Sequence, residues 1–213
     1  PYGFFWFVLE PTAVTVDDTG DLPVLRGAFA DVLRRRAALA RAVGRWLPVR
    51  RWYAGKELTM RDLVIDDAFP LRGDLDGALL VVRVSYTEGD DHRYAVPVVR
   101  ATGRLATLVQ HDHPAAVLAE MDDGAMLVDA MVIPDGAAAV MRTALTRRAV
   151  KGRQGHARGV PVRPGISRLA DPVETVHPMG VEQSNSSAVV GHQLIGKLVR
   201  RLEPATNPDV ELP

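Results

Sequence analysis

The side chains best suited to chemistry lie near the end of the sequence. Met179-Gly-Val-Glu-Gln-Ser-Asn-Ser-Ser187 is a small, polar run, and Leu194-Ile-Gly-Lys-Leu-Val-Arg200 follows it. The first reads as a turn between two strands and the second as a strand with a lysine inside it. Backbone N–H groups and side chains of such a turn, here Ser184, Asn185 and Ser186, can cradle phosphate oxygens. Lys197 could then reach the same phosphates as a point charge, and Glu211 is placed to hold the lysine. On the residues alone a purely structural reading stands beside this one, because polar hairpin turns and strand lysines also occur in folds that bind nothing.

Other constellations are weaker. Gly191 to Lys197 satisfies the first seven positions of a Walker phosphate loop, but Leu198 stands where a Mg²⁺-holding Ser or Thr is required. A Walker lysine also opens a helix, whereas residues 194–199 read as a strand. Lys56 follows Gly55 in the same way, yet Arg50 occupies the first glycine position and Glu57 the last. His111-Asp112-His113 offers two ligands of one metal without a third nearby. No G-x-S-x-G elbow is present for a serine hydrolase. Asp66-Asp67 and Asp122-Asp123 are adjacent pairs, and neighbours on a strand point to opposite faces, so neither makes an acid/base couple.

The elements that must position these groups can be read from periodicity. Tyr2 to Glu10 is aromatic and β-prone, and Pro11 to Pro23 reads as a linker. From Leu25 to Trp46 the apolar residues Val32, Leu39, Val43 and Trp46 share one helical face, with the arginines 34–36 and 41 on a solvated one. Strands are expected at Leu63–Phe69, at Ala78–Tyr86 and Arg93–Ala101 as a hairpin, and at Leu105–Gln110. Pro97 marks its strand as a sheet edge, since proline donates no ladder hydrogen bond. Pro114 to Met121 is expected to be a short helix, and Asp135 to open another that runs to about Val150. Lys151–Pro164 reads as a flexible loop. Further strands are expected at Val173–Val176, Ser187–Val190 and Leu194–Val199. The class is α+β with antiparallel sheet.

The 213 residues suffice for one large or two small domains, and 47% of them are hydrophobic, which excludes wholesale disorder. Lys plus Arg and Asp plus Glu balance at 26 each, without the basic excess of a nucleic-acid binder. Cysteine is absent, which excludes disulfides, thiolate metal sites and a cysteine nucleophile. The longest early apolar run, Phe4–Leu9, is too short to span a membrane. The expectation is a cytoplasmic protein with no membrane or nucleic-acid partner, and Pro1 and Pro213 both read as cut ends.

Taken together, Glu182-Gln-Ser-Asn-Ser-Ser187, Lys197 in a strand ending Arg200-Arg201, and Asn207-Pro-Asp-Val-Glu211 resemble the opening of the kinase N-lobe of bacterial maltokinases, within the aminoglycoside-phosphotransferase-like kinases. Trp46-Leu-Pro, then Arg51-Trp-Tyr-Ala-Gly-Lys56, resembles the start of the cap domain of that family, and Leu127-Val-Asp-Ala130 its intermediate region. Pro1-Tyr-Gly-Phe-Phe-Trp-Phe7 resembles the closing strand of a trehalose synthase β-domain. The resemblance implies this organisation: residues 1–10 end an upstream trehalose synthase-like domain, 11–24 link, 25–110 form the cap, and 111–213 hold the intermediate region and an incomplete N-lobe. It implies phosphorylation of maltose by ATP with Mg²⁺. Lys197 would contact the ATP phosphates, Glu211 would pair with it, and Ser184, Asn185 and Ser186 would line the phosphate-facing turn. Nothing in the chain matches the family's catalytic aspartate or Mg²⁺ ligands, so the chain alone is expected to be inactive. Gly196 departs from the larger apolar residue usual beside that lysine. A capped kinase for another sugar such as glucosamine, and a non-catalytic cap module, are the alternatives.

Overall fold

The first described elements of the computed structural model are a two-residue strand β1 (Val24–Leu25) and two helices, α1 (Phe29–Arg34) and α2 (Arg36–Trp46). Description covers residues 21–146, 148–160, 176–180, 185–191 and 194–203. The strand and linker expected over residues 1–20 therefore lie outside it. The single helix expected from Leu25 is instead a strand and two helices. Arg35 leaves the helical region at ψ 62° between them. Arg36 is not solvated with its neighbours: its guanidinium donates to the carbonyls of Ile65 and Asp66 at 2.9 and 2.6 Å.

Three long antiparallel strands follow, β2 (Met60–Pro70), β3 (Gly77–Tyr86) and β4 (His92–Ala101). The β3–β4 hairpin is the one the sequence predicts. Next come α3 (Gly103–Asp112), β5 (Val117–Met121), β6 (Met126–Asp129) and α4 (Pro134–Leu145). Two expectations are exchanged here. Residues 105–110 form a helix because Ala106 and Val109 bury one stripe at helical spacing. Residues 117–121 form a strand, with Val117, Leu118, Ala119 and Met121 all buried. A short run buried on both sides has no period that separates strand from helix.

Small elements complete the described residues: β7 (Val150–Lys151), β8 (His156–Ala157), β9 (Val176–Pro178), β10 (Asn185–Val190), β11 (Leu194–Val199) and β12 (Arg201–Leu202). The large sheet runs β1-β5-β6-β4-β3-β2, with β12 also pairing with β4. Strand β4 is thus internal, against the edge position inferred from Pro97. Ala95 donates its N–H to the carbonyl of Arg200, and β6 pairs with β4 only from Val98 onward. Residues alternate along a strand, so Pro97 shares the side of Ala95 and falls between the end of β12 and the start of β6. A missing donor is tolerated in that gap.

Helices α1 and α2 cover one sheet face, burying Leu39, Val43 and Trp46 over Leu80, Val82 and Tyr94. The other face packs Val99 and Val128 against α4 and, beyond it, Val176, Ala188 and Val190 of the second sheet β11-β10-β9. Where a flexible loop is expected after residue 150, the described part is a hairpin. Asp67 on β2 accepts the backbone N–H groups of Arg153, Gln154 and Gly155 at 2.7, 3.0 and 2.9 Å. Gly152 permits this approach, since a Cβ there would overlap the carboxylate. Burial works against the Asp67 charge, but the converging N–H donors outweigh it and hold its pKa below the ordinary carboxylate value. Residues 161–164 of the expected loop lie outside the described part.

Candidate functional site

Strands β10 and β11 form a ribbon with two unlike faces. Ser186, Ala188 and Val190 are buried, and Leu194 and Leu198 on β11 pack toward the same core. Gly196 lies between those two leucines and faces α4: a Cβ at this position would overlap the Sδ of Met141. Asn185, Ser187 and Val189 face the other way, as do Ile195 and the exposed Lys197. The register sets Ser187 directly opposite Lys197 and Asn185 opposite Val199. Asn185 is therefore one diagonal step from Lys197 on the open face, within reach of a long side chain. Ser186 sits on the opposite face. Ser184 and Glu211 lie outside the described residues. Lys197 is inside a strand, and Gly191 is a turn glycine at φ 58°, which excludes the Walker geometry.

Ser186 has a different occupation. Its Oγ accepts from Nε and Nη2 of Arg200 at 2.9 and 2.7 Å. The same Nη2 donates to both Asp129 oxygens, at 2.8 and 3.1 Å, and both members of that ion pair are 1% exposed. The Arg200 guanidinium also sits 4.7 Å above the ring of Trp52, a cation–π contact. Asp129 is itself oriented by the N–H of Met131 at 2.9 Å. Buried charges persist when paired and hydrogen-bonded, and these are both, although Nη1 of Arg200 has no hydrogen-bond partner among the described residues. The clamp was not anticipated from the sequence. Its one legible sign is Asp129, an isolated acid within the apolar run Ala125–Val132, where an unpaired charge would be costly.

A cleft of about 510 Å³ opens beside the clamp, between the turn His113–Ala116 and the β9–β10 side of the ribbon. Arg50, His113, Met179, Ser187 and Arg200 contribute to its walls. Arg50 repeats the Arg200 arrangement on a smaller scale: it stacks 4.9 Å from the Trp46 ring and donates to the carbonyl of Ala115, which also accepts Trp46 Nε1 at 2.9 Å. Among the described residues no group of three or more His, Asp or Glu could hold a metal ion. His111 and Asp112 pair with each other at 2.6 Å at the exposed end of α3.

Residues 46–132 match the maltokinase N-terminal cap domain family. Over that span, less than half of its length, the chain is similar to a maltokinase N-terminal cap. The matched span opens on Trp46 and closes just after Asp129, so the cap contributes Trp52 and Asp129 to the clamp while Ser186 and Arg200 come from the ribbon beyond it. The fold class expected from the resemblance, an α+β cap followed by early kinase-like strands, is the one found. Buried Trp46, Trp52 and Tyr53 explain the aromatic motif that opens the matched span as core packing, with Trp52 and Tyr53 ringing Tyr94 at 6.0 and 5.4 Å.

The cap also holds β12 through a polar node. His92 Nδ1 lies 3.1 and 3.2 Å from the hydroxyls of Tyr86 and Tyr94, and Nε2 lies 3.3 Å from Arg201 Nη2. Arginine can only donate, so Nε2 accepts and the proton of the neutral ring sits on Nδ1. Burial, followed by the nearby Arg201 charge, pushes the His92 pKa below its ordinary value. Among the described residues no helix is long and apolar enough to cross a membrane.

Proposed function

We propose that this chain forms the cap and opening N-lobe strands of an ATP-dependent maltokinase, which transfers a phosphoryl group to the anomeric hydroxyl of maltose to give maltose 1-phosphate. The observation that carries this reading is the joining of a span similar to a maltokinase cap, through β12 on β4, to a second sheet that sets Lys197 and Asn185 on one face. Phosphoryl transfer leaves a protein little to do beyond positioning and charge stabilisation, and a strand lysine opposite Ser187 and near Asn185 suits the phosphate end of that task. In this reading Lys197 binds ATP phosphates and Glu211 pairs with the lysine. Asn185 at the start of β10 supplies an amide donor, and Ser184 before it a hydroxyl. Mg²⁺ accompanies the nucleotide and offsets its charge, with ligands from residues outside those assigned here. A protein of this kind works in the cytoplasm on α-glucan metabolism. The Pro1–Phe7 segment supports its fusion to a trehalose synthase.

The test is Lys197→Ala in the full protein. Loss of one fixed donor to a charged transition state costs on the order of 100-fold in rate. The expected outcome is that loss in ATP turnover with an unchanged unfolding midpoint. Near-normal turnover would reject the lysine assignment. Comparing maltose with glucosamine as acceptor tests the substrate.

A further inference from the structure

We infer that Arg200 is a positioning residue for Lys197, and that the cap's task includes holding the lysine strand in place through it. The inference rests on the reading of Lys197 as a nucleotide-binding lysine. Only Leu198 and Val199 separate Lys197 from Arg200, so in extended chain their Cα atoms are roughly 10 Å apart. At Arg200 the strand stops being adaptable. The side chain is enclosed by Asp129 and Trp52 of the cap and by Ser186 of the neighbouring strand. The backbone at and after Arg200 is fixed as well: Arg200 C=O accepts the N–H of Ala95 at 2.7 Å, and Arg201 and Leu202 pair with Tyr94 and Arg93. Among the described residues strand β11 has one ladder partner, β10. Side-chain and backbone anchors at its end therefore fix where the ribbon sits relative to the cap.

Ser186 belongs to the same device. It is buried, and its hydroxyl is committed to Arg200 on the face opposite Lys197. It acts on the site by tying β10 and β11 to the same guanidinium, not by touching phosphate. Side chains that have lost one charged partner in a buried pair usually destabilise the fold outright, whereas neutralising both partners is often tolerated. This separates positioning from simple unfolding.

The experiment uses the full protein as wild type, Lys197→Ala, Arg200→Met and the neutral double variant Asp129→Asn/Arg200→Met. It measures MgATP affinity, KM for each substrate, and hydrogen exchange of residues 185–199. The double variant is expected to keep an unfolding midpoint near wild type and to exchange its β10–β11 amides about tenfold faster. MgATP binding should weaken about tenfold, within the usual range of coupling through a packed network. The sugar KM should not change. Unchanged exchange in β10–β11, or unchanged nucleotide affinity in a protein whose Lys197→Ala variant loses it, would overturn the inference and leave the proposed function intact. Equal losses for sugar and nucleotide would also overturn it, since that pattern marks general damage. If Lys197→Ala binds MgATP normally the proposed function itself fails, and the exchange result still decides whether Arg200 anchors the strand.

Discussion

Arg200 is held by a carboxylate, a hydroxyl and an indole face at once, so the residue it stabilises most is the one that would suffer its loss. Removing the arginine alone strands Asp129 at 1% exposure, and breaking a buried pair in this way costs about 3–5 kcal/mol. Arg200→Met should therefore lower the urea midpoint sharply, while the added Asp129→Asn change restores most of it; equal destabilisation by the two variants would mean that the ion pair is not the source. Gly196 carries a second residue-scale prediction. In sequence it looks like a weak point in a strand, but Met141 occupies the space a side chain would need. Gly196→Val should cost about 1–3 kcal/mol by overpacking, and Met141→Ala in the same chain should return part of it. Lys197 was legible because its type and turn context suggest chemistry. Arg200 was not, because a strand-end arginine looks the same whether it meets water or a buried carboxylate 71 positions away.

Two small elements owe their order to single titratable groups, and their pH dependences fall in separate windows. Asp67 ties the β7–β8 turn to β2 through three N–H donors. Its folded pKa lies below the ordinary value of about 3.9, so its stabilisation is complete above that pH and is lost as pH falls through the folded value. Asp67→Asn puts an amide donor against N–H groups and should speed exchange and proteolysis at residues 151–157 at neutral pH. An equally protected turn would show that the carboxylate is not its anchor. His92 works closer to neutrality. Its folded pKa lies below the ordinary value of about 6.5, so the unfolded chain takes up a proton first and stability falls as pH drops below that value. The β12–β4 pairing should weaken from pH 7 to pH 5, read as faster exchange at Arg201 and Leu202. His92→Gln should flatten that dependence. The long hairpin was legible from its alternation and polar turn, whereas α3 and β5 were exchanged because α3 buries only the narrow stripe of Ala106 and Val109 and β5 is short and buried on both sides.

At the scale of the molecule, the boundary between cap and ribbon is a boundary of sequence more than of structure. The family match ends at residue 132, yet β12 returns from beyond the ribbon to fill the side of β4 that β6 leaves open, and α4 lies between the two sheets with Met141 against Gly196. Such a return was not legible in the sequence, because a two-residue strand 107 positions from its partner Tyr94 has no pattern of its own. Only the closed ladder at Ala95 and the buried ion pair reveal it. The consequence is cooperative. Ala188 and Val190 of the ribbon share a core with Val99 and Val128 of the cap, so opening one sheet exposes apolar surface of the other. Elements that bury each other's apolar surface open as one unit. Native-state hydrogen exchange in increasing urea should therefore give the β3–β4 and β10–β11 amides converging opening free energies, and the neutral double variant at 129 and 200 should separate them, with the ribbon opening first. Two independent isotherms in the wild-type chain would instead make the ribbon an appendage, and the cap could not then hold Lys197 in position.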